Sequence, residues 1–142
     1  MAKISINIST GSLQQQDMIV GIDHGTTNSL VAIIHPETKQ PVALKEHNSA
    51  SLVPSIVHLN ADSSVVVGDA AKQFLIAEPE RTIFSVKRLM GKSYNDLRDR
   101  TSSFAYKIID DDTDRLVKVQ LGNKFYSPIE LSSFILKELK ER

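Results

Sequence analysis

Residues 23–29 read Asp-His-Gly-Thr-Thr-Asn-Ser and lie between two apolar runs, residues 19–22 and 30–34. A tight turn with Gly25 free of a Cβ lets backbone N–H groups approach an anion closely. Thr26, Thr27, Asn28 and Ser29 add neutral side-chain donors, which suit phosphate oxygens. Asp23, at the end of the first run, could hold Mg²⁺ through its water shell, because that ion keeps several waters and uses few carboxylates. The stretch therefore reads as a phosphate clamp beside a metal-side carboxylate. A polar hairpin turn, with Thr and Asn satisfying their own backbone, fits the same residue types.

Three other stretches suggest chemistry and do not carry it. Residues 90–93, "MGKS", lack the glycine that a P-loop places five positions before its Gly-Lys glycine, where Val86 stands. Residues 110–114, "DDDTD", alternate acids as an EF-hand does, but its glycine and glutamate positions hold Arg115 and Leu121. This is a hairpin turn. The histidines, 24, 35, 47 and 58, have no i, i+4 pairing and no cysteine company, so zinc is not expected.

The elements that position the loop follow from patterning. Strands are expected over 18–22, 29–34 and 41–45, a meander, and over 54–59 and 64–68 about the turn "NADS". Asp69 is expected to cap a helix that buries Phe74, Leu75 and Ile76 and ends at Pro79. Thr82 is expected to cap a second, residues 83–90, closed by Gly91 in a left-handed cap. Residues 92–103 are polar and read as loop. Residues 104–109 and 116–121 form a hairpin, and 124–127 add a strand. Ser127, Pro128 and Glu130 then give an N-cap, an N1 proline and a capping-box acid, with Leu131, Phe134, Ile135 and Leu139 as the apolar face. This last helix stops at "KELKER" without a capping glycine, as a cut chain would.

The bulk numbers agree with one modest soluble domain: 142 residues, 41% hydrophobic and 24% charged. Seventeen basic residues balance 17 acidic ones, which gives no electrostatic reason to expect nucleic acid or an anionic membrane. Without cysteine there are no disulfides, thiolate metal sites or cysteine nucleophiles. No apolar run approaches the ~18 residues of a spanning helix, and the start has no signal-peptide core, which points to the cytoplasm. Residues 1–17 read as a flexible arm.

The wording of several blocks is more specific than their chemistry. "GIDHGTTNSLVA", "VPSIV", "VGDAAK", "TIFSVKRLMGKS", "KIIDDD", "VKVQL" and "YSPIELSSFILKELK" resemble, in order and spacing, the N-terminal ATPase domain of the DnaK/heat-shock-seventy chaperones. The resemblance runs from about Met18 to Arg142. It implies an α/β, actin-like (ribonuclease-H-like) ATPase fold, here a first-lobe fragment. Residues 18–52 would begin the inner subdomain, 53–126 would form an inserted smaller subdomain, and 127–142 would be a truncated helix returning to the inner one.

By the same resemblance, Asp23 is the acidic residue on the Mg²⁺ side, and Gly25, Thr26, Thr27 and Asn28 form the first phosphate loop. Lys87 matches the catalytic lysine and Arg88 an arginine near the adenosine. The implied ligands are ATP or ADP with Mg²⁺; the implied partners are client polypeptides, a J-domain co-chaperone and a nucleotide-exchange factor. His24 departs from the family, which usually has leucine there. Its imidazole could bond phosphate when protonated or fill space, and filling is the preferred reading. The polar arm and "SVKRLMGKS" lean toward the HscA-type branch of iron–sulfur cluster assembly. A sugar kinase shares the Gly-Thr-Thr loop but lacks "SVKRLMG", and a non-enzymatic lobe is the other alternative. No Gly-Gly-Gly-Thr second phosphate loop is present, so the chain alone is expected to be catalytically incomplete.

Overall fold

The computed structural model describes residues 4–6, 13–15, 19–45, 50–109 and 116–142, the first two segments as backbone only. The expected turn over 110–115 and His47 lie outside these residues. Within the arm, β1 (Ile4–Ile6) and β2 (Leu13–Gln15) pair antiparallel, where the sequence signalled no strands.

The expected meander is present. β3 (Val20–His24), β4 (Asn28–Ile34) and β5 (Pro41–Ala43) pair antiparallel in that order. The first register runs from Val20↔Ile33 to His24↔Ser29, so a three-residue turn, 25–27, joins β3 to β4. β6 (Val53–Pro54) adds to the other edge of β4 at the turn, through Asn28↔Pro54 and Ser29↔Val53. Among the described residues nothing pairs with the outer edge of β3, and Ile19, Val20 and Ile22 are exposed.

A second sheet has β7 (Ile56–Leu59) between β8 (Val65–Val67) and β9 (Thr82–Phe84). Here four expectations are corrected. Residues 68–71 form a 3₁₀ turn, with Gly68 at φ +77°, and Asp69 lies inside its first turn without capping it. α1 is the single turn Phe74–Ala77, too short to bury a face, and Ile76 is 92% exposed. Thr82 begins a strand, not a helix, because Val57 and His58 supply ladder partners for Ile83 and Thr82. Only residues 86–89 are helical, as a 3₁₀ turn, though Gly91 does take the left-handed conformation, φ +69°.

The polar stretch after it is also more regular than expected. Ser93 caps α2 (Tyr94–Leu97) in a reciprocal capping box with Asp96, and a 3₁₀ segment follows over 98–103. β10 (Lys107–Ile109), β11 (Lys118–Leu121) and β12 (Lys124–Tyr126) form the third antiparallel sheet, as anticipated.

α3 (Pro128–Lys140) is built as its sequence signals, with Ser127 and Glu130 exchanging capping-box hydrogen bonds. Its buried face serves two cores. Leu131 and Ile135 join Val57, Ile83, Leu89 and Val119, while Leu139 packs in a smaller cluster with Val31 and Val53 behind the 25–27 turn. The chain is thus mixed α/β with small sheets. Among the described residues, no helix is long and apolar enough to cross a membrane.

Candidate functional site

The alternation of β4 decides which loop residues can meet a ligand. Ser29 and Val31 point inward and are buried, whereas Thr27 and Asn28 are exposed. Ser29 therefore leaves the set of candidate phosphate donors. The side chains of Thr26, Thr27 and Asn28 make no hydrogen bond among the described residues, so they do not satisfy their own backbone as a plain polar turn would.

What holds the turn is a buried hydroxyl chain. His24 Nδ1 lies 3.0 Å from Ser29 Oγ, Ser29 Oγ 2.9 Å from Ser55 Oγ, and Ser55 Oγ 2.9 Å from the Gly25 carbonyl. The carbonyl can only accept, and each hydroxyl has one proton. The direction is then fixed: His24 Nδ1–H donates to Ser29, Ser29 to Ser55, and Ser55 to Gly25. His24 carries its proton on Nδ1, and its Nε2 is buried with no partner among the described residues. Charging the ring would add a second N–H there without an acceptor. Burial accordingly lowers the His24 pKa, the Lys87 charge lowers it further, and Asp23 opposes both. The imidazole thus faces inward, which supports the space-filling reading and gives the ring a partner as well.

Gly25 is required by a close approach of backbone. A Cβ there would lie 2.2 Å from the Asn28 carbonyl oxygen.

Lys87 reaches this turn from a distant part of the chain. Residues i and i+3 of a 3₁₀ turn share a face; Val86 and Leu89 bury at 1% and 0% exposure, which turns Lys87 and Arg88 outward. Lys87 Nζ then donates to the His24 carbonyl at 2.6 Å, across 63 residues of sequence. One ammonium proton is used and two remain. Ser85, which opens the turn, sits at φ +55°, ψ +29°, a left-handed conformation that costs a non-glycine residue roughly 1–2 kcal/mol.

Asp23 is exposed beside the turn, and its carboxylate forms no hydrogen bond or ion pair among the described residues. Those residues include no group of three or more His, Cys, Asp or Glu able to hold a metal ion. The residues present would fit Mg²⁺ only as an ion held mostly by phosphate oxygens and water, with Asp23 as the carboxylate such water could meet. Arg88 is not drawn to the turn by any ion pair or side-chain hydrogen bond among the described residues. Its charge instead lies near Tyr106, whose phenol donates to the Phe84 carbonyl at 3.1 Å and whose pKa is raised by burial.

The structure therefore brings together Asp23, the 25–28 loop and Lys87, and leaves Arg88 aside. Ser55 was missed from sequence. Its only local signal is a serine following Pro54, and its role exists only through the Asn28↔Pro54 register.

A family model described as "Hsp70 protein" matches residues 19–142. That is most of the chain and includes every residue of the loop and the lysine turn. The chain belongs to the Hsp70 family.

Proposed function

We propose that residues 25–28, Lys87 and Asp23 form the phosphate end of a Mg-ATP site in the ATPase domain of a chaperone. The observation that carries this reading is the 2.6 Å hydrogen bond from Lys87 Nζ to the His24 carbonyl, which sets an exposed cation against a turn whose side-chain donors have no partner among the described residues. The family's actin-like ATPase fold supports it, with this chain as part of the first lobe.

In that site the Thr26, Thr27 and Asn28 side chains would donate to phosphate oxygens. The two spare protons of Lys87 would bind the terminal phosphoryl group, where negative charge shifts during transfer, and help place the attacking water. Asp23 would orient water. Magnesium, when bound, would supply charge neutralisation of the phosphates. Arg88 toward the adenosine is the weakest of the assignments, since its charge lies by Tyr106. At the level of the whole protein, ATP hydrolysis would control client-polypeptide binding, with a J-domain co-chaperone and an exchange factor as partners. A role in iron–sulfur cluster assembly rests on "SVKRLMGKS" and the polar arm alone.

Calorimetric titration with Mg-ATP tests the reading. Each hydrogen bond to a charged group contributes about 1.5–3 kcal/mol, so Thr26→Ala combined with Lys87→Ala should weaken binding at least a hundredfold. Equal heats and affinities in both proteins would remove the phosphate reading. No binding by the parent chain would make it a lobe that does not hold nucleotide by itself.

A further inference from the structure

Ser55 is bonded to the loop twice. Its hydroxyl donates to the Gly25 carbonyl at 2.9 Å, and its backbone N–H donates to the Thr27 carbonyl at 2.8 Å. One residue, 2% exposed, thus ties back the first and last carbonyls of the turn. In a trans peptide the C=O and the following N–H point in opposite directions, and the described chain has no cis peptide. Securing the Gly25 carbonyl inward therefore directs the Thr26 N–H away from Ser55; securing the Thr27 carbonyl does the same for the Asn28 N–H. Neither carbonyl oxygen is then free to face an approaching anion.

We infer that Ser55 is a positioning residue of the phosphate loop: by holding two carbonyls from behind, it sets the Thr26 and Asn28 amides in the anion-binding orientation. This rests on the phosphate reading of the loop for its purpose, though not for its geometry. Ser29 has a lesser part. It orients the Ser55 hydroxyl by donating to it, but makes no bond to the loop carbonyls itself. The two serines are adjacent, buried and chemically identical, and only one is expected to govern the loop.

The test compares Ser55→Ala and Ser29→Ala with the parent chain, each checked for an unchanged fold by its far-UV spectrum and dispersed amide spectrum. Ser55→Ala should shift or broaden the Thr26 amide resonance, with a smaller effect at Asn28 because the backbone N–H of residue 55 still holds the Thr27 carbonyl. It should also weaken Mg-tripolyphosphate binding about tenfold, which corresponds to one lost hydrogen bond at about 1.4 kcal/mol per decade. Ser29→Ala leaves the Ser55 hydroxyl bonded to the Gly25 carbonyl and should therefore weaken binding less than Ser55→Ala. Should Ser55→Ala not fold, Ser55→Cys replaces it; its weaker donor should give the same changes to a smaller extent. Loop resonances that stay in place in a folded Ser55 variant would overturn the inference. So would equal losses from the two serines. A parent chain that does not bind tripolyphosphate would show that this lobe does not hold phosphate by itself, while the resonance shifts would still decide the part played by Ser55.

Discussion

Replacing Gly25 by alanine separates two reasons for a glycine in the loop. From sequence, the glycine lets amides approach an anion, which predicts a loss of binding with stability untouched. The structure adds a contact within the protein: the new Cβ would lie 2.2 Å from the Asn28 carbonyl oxygen, whereas real Cβ contacts stay beyond 3.0 Å. Something must move by about 0.8 Å, and the neighbour is backbone. Asn28 is held in β4 by its pairing with Pro54, and the Gly25 carbonyl is held by Ser55, so neither side yields freely. Overpacking of this kind costs roughly 1–3 kcal/mol. For a chain of this size each kcal/mol lowers the melting temperature by roughly 3–5 °C. Gly25→Ala should therefore melt roughly 3–15 °C below the parent, followed by circular dichroism, and should also lose Mg-ATP binding by calorimetry. A variant that melts within about 1 °C of the parent would show that the turn relaxes easily, and the argument that the turn is rigidly held would fail with it.

Two further outcomes follow from individual residues. Ser85→Gly should be neutral to stabilising by about 1 kcal/mol, because relief at φ +55° outweighs the added freedom of the unfolded chain; a clear loss in chemical denaturation would mean that the Ser85 side chain has a role the structure does not reveal. His58, 0% exposed, donates from Nδ1 to Thr82 Oγ1 at 2.9 Å, since that hydroxyl itself donates to the Glu78 carbonyl at 2.8 Å. Burial lowers the His58 pKa, with Glu78 and Asn60 opposing and Arg81 assisting. The unfolded chain then binds more protons below about pH 6.5, so the stability gained from a neutral His58 is complete above that pH and falls as pH drops toward the lowered folded value, by up to about 1.4 kcal/mol per unit. Urea midpoints of His58→Asn should depend less steeply on pH over this range; identical slopes would refute the assignment.

How far the sequence revealed the molecule depended on where each signal lies. α3 was legible because everything that makes it is local: Ser127, Pro128 and Glu130 form its start, and Leu131, Ile135 and Leu139 recur at helical spacing. Ser93 and Asp96 form the same kind of box, yet α2 was not anticipated, since one buried leucine in a polar stretch gives no periodicity. Thr82 failed for the opposite reason. It looks like a helix cap in its own neighbourhood, but β7, far away in sequence, recruits it into a ladder. The hairpin carrying Asp23 and residues 25–28 was found from two short runs rich in Val, Ile and Leu around a polar turn, whereas the lysine entered only through family resemblance. No local pattern says that the residue after Val86 will cross to the His24 carbonyl; that depends on the burial of Val86 and Leu89.

The site divides its physics between two layers. The charges, Asp23 and Lys87, are exposed and lie at the surface of the turn. Behind them the support is uncharged: His24, Ser29 and Ser55 pass hydrogen bonds in one direction until a carbonyl ends the chain. A charged support in the same buried position would need a paired counter-charge to offset its desolvation, and its field would add to or cancel that of Lys87. A neutral chain that ends on an acceptor does neither. It fixes which way the Gly25 peptide points and leaves the choice of ligand charge to the exposed pair. His24 fits this arrangement only as a neutral donor. That is why its inward-facing ring makes it part of the support of the turn, and not a second exposed cation beside Lys87.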